Sequence, residues 1–309
     1  MSLGILCPGQ GAQHPAMLEP LRTHPEARAV LDAVSEVLGV SPWTLMKGPT
    51  EAPAEALYVN ALAQPLLCAV QLATWTALRS RLPTPRVFAG YSVGELAAHG
   101  CAGALDAGEL FTLAQARARA MDGASPADSG MRAVRGLCRK RLEPLLEAHA
   151  VHIAIVNGPG RFVIGGREED LRRLEPELSA QGGSVTVLPV HVASHTPLLA
   201  SAAHVFGEHL AHSGLRAPVT PVLAGIDGAP VSTRERALTT LTRQVAEPVD
   251  WAACLEGLAE EGCTVLLELG PGADLSRMVR DTLPSLSVRS VSEFKTLEGV
   301  CSWVLRQLE

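Results

Sequence analysis

Val87-Phe88-Ala89-Gly90-Tyr91-Ser92-Val93-Gly94-Glu95-Leu96-Ala97-Ala98 is the stretch whose reading decides the fold. Val87 to Ala89 is a short apolar run suited to a buried strand, and Glu95 to Ala98 continues as a helix former with an acid in its first turn. Between them Gly90, Ser92 and Gly94 have the spacing of a nucleophile elbow, a sharp strand-to-helix turn that leaves a serine hydroxyl exposed in a cleft. The glycines suit backbone angles and a helix-strand approach that a side chain would obstruct. A tight glycine turn with a capping serine fits the same five residues, so the rest of the chain has to decide.

The chain has 309 residues, 47% hydrophobic and 19% charged, enough to bury a sizeable core in one large domain or two. A formal net charge of −6 argues against a general affinity for nucleic acid or anionic membranes. The start, Met1 to Pro8, lacks a basic region before its apolar stretch, and no uninterrupted apolar run reaches the roughly 18 residues of a membrane helix. A soluble, cytoplasmic protein is expected. The cysteines at 7, 68, 101, 138, 254, 263 and 301 form no C-x-x-C pair, so they read as small buried apolar residues rather than disulfides or a zinc site. His191 and His195 are four apart but flanked by Pro189 and Pro197, which disfavours one helix presenting both to a metal; no metal is expected.

Outward from the elbow, strand candidates alternate with Ala/Leu-rich helical stretches, which predicts an α/β fold with a mainly parallel sheet. Leu3 to Cys7 reads as the first strand, followed by helices over Ala27 to Leu38, Ala61 to Leu78 and Ala107 to Met121. Turn formers at Gly123 to Gly130 mark a boundary. Beyond it come a strand (Met131 to Val134), a helix (Lys140 to Ala148), two strands (Ile153 to Val156, Arg161 to Gly165), a helix (Glu168 to Ala180) and a strand (Ser184 to Leu188). That is the split βαβ order of a small ferredoxin-like unit. The α/β pattern then resumes with a helix over Pro197 to His212, a strand over Val219 to Ala224, helices over Ala237 to Gln244 and Asp250 to Glu260, and a strand over Val265 to Leu269. The predicted organisation is an α/β-hydrolase-like core (1–125 and 191–309) with an inserted ferredoxin-like α+β subdomain (126–190), and a cleft between them.

Pro8-Gly9-Gln10-Gly11-Ala12-Gln13 follows the first strand directly. It lacks the third glycine of G-x-G-x-x-G, position 14 being His, and no acidic residue ends a second strand at the right distance, so a dinucleotide site is not expected. Its better use is a backbone N–H at Gln10 that joins the Val93 N–H in an oxyanion hole beside Ser92.

This turn, the Gly90 to Glu95 elbow, Arg117-Ala118-Arg119-Ala120-Met121, Ser194-His195, Gln244 with Pro248-Val249-Asp250-Trp251, and Glu268-Leu269-Gly270-Pro271-Gly272 occur in the order of the malonyl-CoA:acyl carrier protein transacylases, which the chain resembles over nearly its whole length. The resemblance implies that Ser92 is the nucleophile, His195 its general base, and Arg117 the clamp on the malonyl carboxylate. It also implies that main-chain carbonyls near Gln244 orient His195, and that Gln244 itself lies close to the substrate. By residue chemistry alone, His195 is an ordinary loop histidine, Gln244 a helix-end residue and Arg117 part of a solvated basic face. Malonyl-CoA and an acyl carrier protein are the implied partners, with no cofactor.

Tyr91 stands where most of the family has His, so it is expected to reshape the pocket near the acyl group. The Gly-Tyr-Ser-Val-Gly-Glu-Leu version, with Cys7 before Pro8, resembles the epsilon subunit of malonate decarboxylase, whose carrier bears a dephospho-CoA-derived thiol. Fatty-acid and polyketide malonyltransferases are the near alternatives. A serine thioesterase, which would favour Asp or Glu behind its histidine, and a noncatalytic scaffold are the more distant ones. Arg132, Arg135, Arg139, Lys140 and Arg141 cluster as a candidate docking face for an acidic carrier, or as a solvated helix face.

Overall fold

A computed structural model describes residues 1–47 and 57–309. In chain order the elements are β1 (Leu3–Cys7), α1 (Pro25–Leu38), α2 (Pro42–Leu45), α3 (Asn60–Leu78), β2 (Val87–Gly90), α4 (Val93–Cys101), α5 (Ala107–Ala124), β3 (Ser129–Arg135), α6 (Arg139–Ala148), β4 (His152–Gly158), β5 (Arg161–Arg167), α7 (Glu168–Ala180) and β6 (Ser184–Val187). There follow α8 (Ala200–Ala211), β7 (Val222–Leu223), β8 (Pro230–Val231), α9 (Arg234–Gln244), β9 (Val249–Asp250), α10 (Trp251–Glu260), β10 (Val265–Glu268), α11 (Asp274–Thr282), β11 (Ser287–Ser290) and α12 (Leu297–Leu308). Among the described residues the strands form two sheets, ordered β11-β10-β1-β2-β7-β8 and β6-β3-β5-β4-β9.

The larger sheet is parallel from β11 to β7, with β8 added antiparallel. Its central strands are buried on both faces because alternate residues feed different cores: Ile5, Cys7 and Phe88 pack with the helices α1, α3, α4 and α5, whereas Leu6, Val87 and Ala89 pack with Trp251, Leu255 and Leu275. Helix α3 is apolar all round and long enough by composition to cross a membrane, yet 83% of it is buried in the protein. A helix without a polar face belongs inside a core. Of its buried residues, Gln64 and Gln71 are the polar ones that matter for the site.

The smaller sheet has antiparallel pairs β3–β5, β3–β6 and β4–β5. One face carries its own core of Val134, Phe162, Ile164, Leu171, Leu174 and Leu178 against α6 and α7; Met131, Ile155 and Val163 on the other face join the core behind the larger sheet. Its outer strand β9 comes from the C-terminal half of the chain and pairs parallel with β4, Ile155 opposite Val249.

Two expectations need correction. The helix expected over Pro197 to His212 is a 3-10 turn at Pro197–Leu199 followed by α8, which ends at Ala211. The strand expected over Val219 to Ala224 shrinks to Val222–Leu223, since Pro218 and Pro221 bring no N–H to a ladder, and Val219 is exposed.

Candidate active site

Cys7 and Gly90 end adjacent parallel strands in register, so the turns that follow them lie side by side at the carboxyl edge of the sheet. Their approach is too close for side chains: a Cβ on Gly94 would stand 2.0 Å from the Cys7 carbonyl oxygen, and one on Gly90 would stand 2.2 Å from the Glu95 nitrogen. Ser92 sits between them at φ 57° and ψ −120°, a strained conformation for a residue with a side chain, with its hydroxyl turned to His195. The Val93 N–H begins α4 and has no acceptor within the helix.

The Pro8 to Gln13 turn is pinned beside the elbow. Gln71 Nε2 donates to the Pro8 carbonyl (2.8 Å), Gln13 Oε1 accepts the Gly11 N–H (2.7 Å), and Gln13 Nε2 donates to the Leu57 carbonyl (3.2 Å). Gln10 is exposed, its side chain donating to Asn60 Oδ1 (2.9 Å). The Glu268 to Gly272 motif supports this turn from behind: Glu268 accepts the N–H groups of Leu275 and Ser276 at the start of α11, and a Cβ on Gly272 would touch Ala12 at 2.4 Å.

His195 lies 103 residues from Ser92 in sequence but places Nε2 2.8 Å from Ser92 Oγ. Two consecutive carbonyls at the end of α9 hold it, Val245 O accepting its backbone N–H (3.0 Å) and Gln244 O facing Nδ1 at 2.6 Å. A carbonyl can only accept, so Nδ1 carries the proton and Nε2 presents its lone pair to the serine. The carboxyl end of a helix also favours the imidazolium. Burial pushes the His195 pKa down to about 3, the nearby Arg117 charge adding to the effect.

Arg117 is 2% exposed. Its guanidinium donates to Gln64 Oε1 (2.9 Å) and Gln244 Oε1 (3.1 Å) and stands 3.5 Å from Ser92 Oγ. Among the described residues no carboxylate pairs with it, and burial lowers its pKa to about 10. A buried cation whose partners are neutral oxygens is a prepared seat for an anionic group.

Tyr91 donates to Asn157 Oδ1 (3.1 Å) and meets Trp251 edge-on with ring centroids 5.4 Å apart, which ties the elbow to β4. The Pro248 to Trp251 motif is thereby explained: Val249 completes the smaller sheet, Asp250 caps α10 through the Ala253 N–H, and Trp251 backs Tyr91. Among the described residues no group of three or more His, Cys, Asp or Glu is placed to hold a metal.

A profile of the acyl transferase domain matches residues 5–303. The chain belongs to that family. Within it, the malonyl CoA-acyl carrier protein transacylase of Haemophilus influenzae is 32% identical over 95% of this chain and 97% of its own, and that of Mycobacterium bovis is 31% identical over 97% and 99%. The solved acyl carrier protein S-malonyltransferase of Vibrio cholerae superposes with a TM-score of 0.91 at 30% identity, covering 97% of this chain and 100% of its own. The malonyl CoA-acyl carrier protein transacylase of Coxiella burnetii reaches 0.93 at 28%, covering 100% and 98%.

The acyl transferase chain brings Ser92, His195, Arg117 and Gln244 into one hydrogen-bonded group; Val93 follows the serine, the turn that carries Gln10 packs against the elbow at Gly9, and the Tyr91 side chain turns to Asn157 and Trp251. The sequence reading overlooked Gln64 and Glu95, though a glutamine inside the apolar α3 and an acid three residues after the nucleophile were both visible. It also misplaced part of the basic cluster. Arg132 is 2% exposed and bonded to Glu168 and Glu175, so it belongs to the interior; Arg139 pairs with Glu143 and Arg141 with Gln181.

One stability prediction arises on α4. His99 is fully buried with neither ring nitrogen partnered among the described residues, and burial lowers its pKa to about 4. The folded state therefore resists a proton that the unfolded chain accepts below about 6.5. Stability from this residue is full above that pH and is lost as pH falls toward 4, by roughly 3 kcal/mol in total. His195 acts in the same sense. Glu95 and Glu268, both raised to about 7 by burial, act in the opposite sense and lose stability as pH rises from 4.5 to 7. The variant His99→Leu isolates one component: its stability relative to the parent should improve steadily between pH 6.5 and 4.5 in urea unfolding. A pH-independent difference would remove the buried neutral histidine as the cause.

Proposed function

We propose that this acyl transferase moves a malonyl group from malonyl-CoA, through an ester on Ser92, to the thiol of an acyl carrier protein. The observation that carries the reading is the Arg117 guanidinium, buried without a carboxylate partner among the described residues and 3.5 Å from a serine hydroxyl already bonded to a histidine. Such a fork selects an acyl group ending in a carboxylate. The names of the relatives point the same way, as does a solved complex of a type II polyketide acyl carrier protein with its malonyl-transacylase, whose chain matches at a TM-score of 0.91 and 29% identity over 98% of this chain and 99% of its own.

In this reading Ser92 Oγ attacks the thioester carbonyl as its proton passes to His195 Nε2, and the oxyanion is met by the N–H groups of Gln10 and Val93. The imidazolium returns the proton to the departing thiolate. The carrier thiol then attacks the malonyl-serine ester, losing its proton to His195, and that proton goes back to Ser92 as the ester breaks. Thioester is exchanged for thioester, so the residues present suffice without a cofactor. A neutral carbonyl behind His195, in place of a carboxylate, stabilises the imidazolium less and suits transfer over hydrolysis. Tyr91 serves the acyl pocket indirectly, by holding β4 against the elbow.

For the acceptor we propose the carrier subunit of malonate decarboxylase, supported by the Gly90 to Leu96 sequence and Cys7. A fatty-acid or polyketide carrier is the second reading, favoured by the relatives' names. The β3-α6-β4-β5-α7-β6 order supports an inserted ferredoxin-like unit over 126–190, set into an α/β-hydrolase-like core. Seven unpaired cysteines accord with a cytoplasmic enzyme. Intact-protein mass spectrometry after mixing with malonyl-CoA tests the function: a malonyl adduct on Ser92 should form, and should leave only when the right carrier is added. An adduct lost at the same rate without carrier would indicate a thioesterase.

A further inference from the structure

We propose that Glu95 is a positioning residue for this transfer, fixing the orientation of the Gln244 side chain and, through Gln244, both the Arg117 fork and the His195 ring. The inference rests on the site reading given above. Glu95 is fully buried in the first turn of α4. Its Oε2 accepts the Gly225 N–H (2.9 Å) and a hydrogen bond from Gln244 Nε2, while Oε1 has no partner among the described residues. A carboxylate buried with an idle oxygen is a poor choice for stability alone, and an apolar side chain of similar volume would serve the fold at least as well. The backbone at Gly225 is fitted to the same carboxylate: a Cβ there would come within 2.6 Å of Oε2.

The two ends of the Gln244 amide are chemically opposite, and its neighbours are too. Arg117 can only donate, so the end facing it must be Oε1. Glu95 Oε2 and the Ser92 carbonyl oxygen can accept, so the end facing them is Nε2, which reaches the Ser92 carbonyl at 3.2 Å. With Glu95 in place, a flipped amide would set N–H against N–H at Arg117 and oxygen against oxygen at Glu95. The main-chain carbonyl of the same Gln244 holds His195 Nδ1. One buried acceptor thus fastens the residue that touches nucleophile backbone, base and clamp, while Glu95 itself reaches no reacting atom.

Burial raises the Glu95 carboxyl to about 7, and in either protonation state Oε2 remains an acceptor. A glutamine can copy that acceptor and a methionine cannot. We expect Glu95→Gln to keep kcat/KM for malonyl-CoA within about threefold of the parent, and Glu95→Met to lower it about a hundredfold, as a misplacement near 1 Å does. The malonyl-to-acetyl preference should shrink about tenfold in Glu95→Met, because a free amide no longer steadies Arg117. Combining Glu95→Met with Gln244→Met should cost no more than Gln244→Met alone. Rates are counted per Ser92 that becomes malonylated, so unfolded protein drops out, and Glu95→Ala carries the same expectation if the methionine variant does not fold.

Equal losses in the Gln and Met variants, equal losses for malonyl and acetyl, multiplying losses in the double variant, or failure of both apolar variants to fold would each overturn the proposal. Absence of a malonyl adduct in the parent protein would instead overturn the reading on which it rests.

Discussion

Ser92→Ala and His195→Ala are each expected to slow transfer about 10⁴-fold or more, and the double variant is expected to be no slower than either one. The reason is that, in the proposed mechanism, the two side chains perform a single event. At 2.8 Å the hydroxyl proton moves to Nε2 as the oxygen attacks, so a histidine without the serine has nothing to deprotonate, and a serine without the histidine stays a neutral alcohol. What should survive in every variant is the binding of the thioester and the proposed backbone N–H pair at its carbonyl, which do not depend on either side chain. Stopped-flow measurement of thiol release from malonyl-CoA in the presence of carrier checks this. Losses that multiplied in the double variant would mean that serine and histidine act in separate steps, and the nucleophile assignment would have to move.

Arg117→Ala is expected to lower kcat/KM for malonyl-CoA by roughly thirty- to a thousandfold while leaving acetyl-CoA unchanged or improved, so that the preference inverts. Two effects add. The malonyl carboxylate loses a planar double donor held by Gln64 and Gln244. The second effect concerns the base: the Arg117 charge lowers the basicity of His195 after burial has already done so. A bound malonyl carboxylate neutralises that charge, and His195 becomes a better base with the correct substrate in place. Acetyl leaves the cation uncompensated; removing Arg117 removes the penalty for acetyl and the advantage for malonyl together. Kinetics with both thioesters decide it. Equal losses for the two would show that Arg117 supports the fold and does not read the carboxylate.

The elbow was legible because it is local. Gly90 is required by the backbone of Gly94 and Glu95 within the same turn and Gly94 by the end of the neighbouring strand, and their spacing around Ser92 survives in the sequence as a pattern. The strands and helices of the smaller sheet were legible for the same reason, each being a short periodic run closed by turn formers. Less visible were α11, β11 and α12: the apolar residues of α11 are few, and its first N–H groups are met by Glu268, at the end of the preceding strand, rather than by a residue at the cap position. Arg132 read as surface because a run of basic residues near a helix looks solvated; its burial depends on Glu168 and Glu175, which lie 36 and 43 residues further on.

By itself the sequence determined the α/β pattern, the serine at a strained turn and, through ordered motifs, the family. Only the tertiary structure decided which carbonyl holds His195, which side chains flank Arg117, and that Glu95 stands behind Gln244. Backbone conformation and side-chain periodicity are set by neighbours along the chain, so they leave a trace in residue order. Hydrogen-bond partnership between Gln244 and Glu95, 149 residues apart, depends on distances that exist only after the sheet and helices have packed.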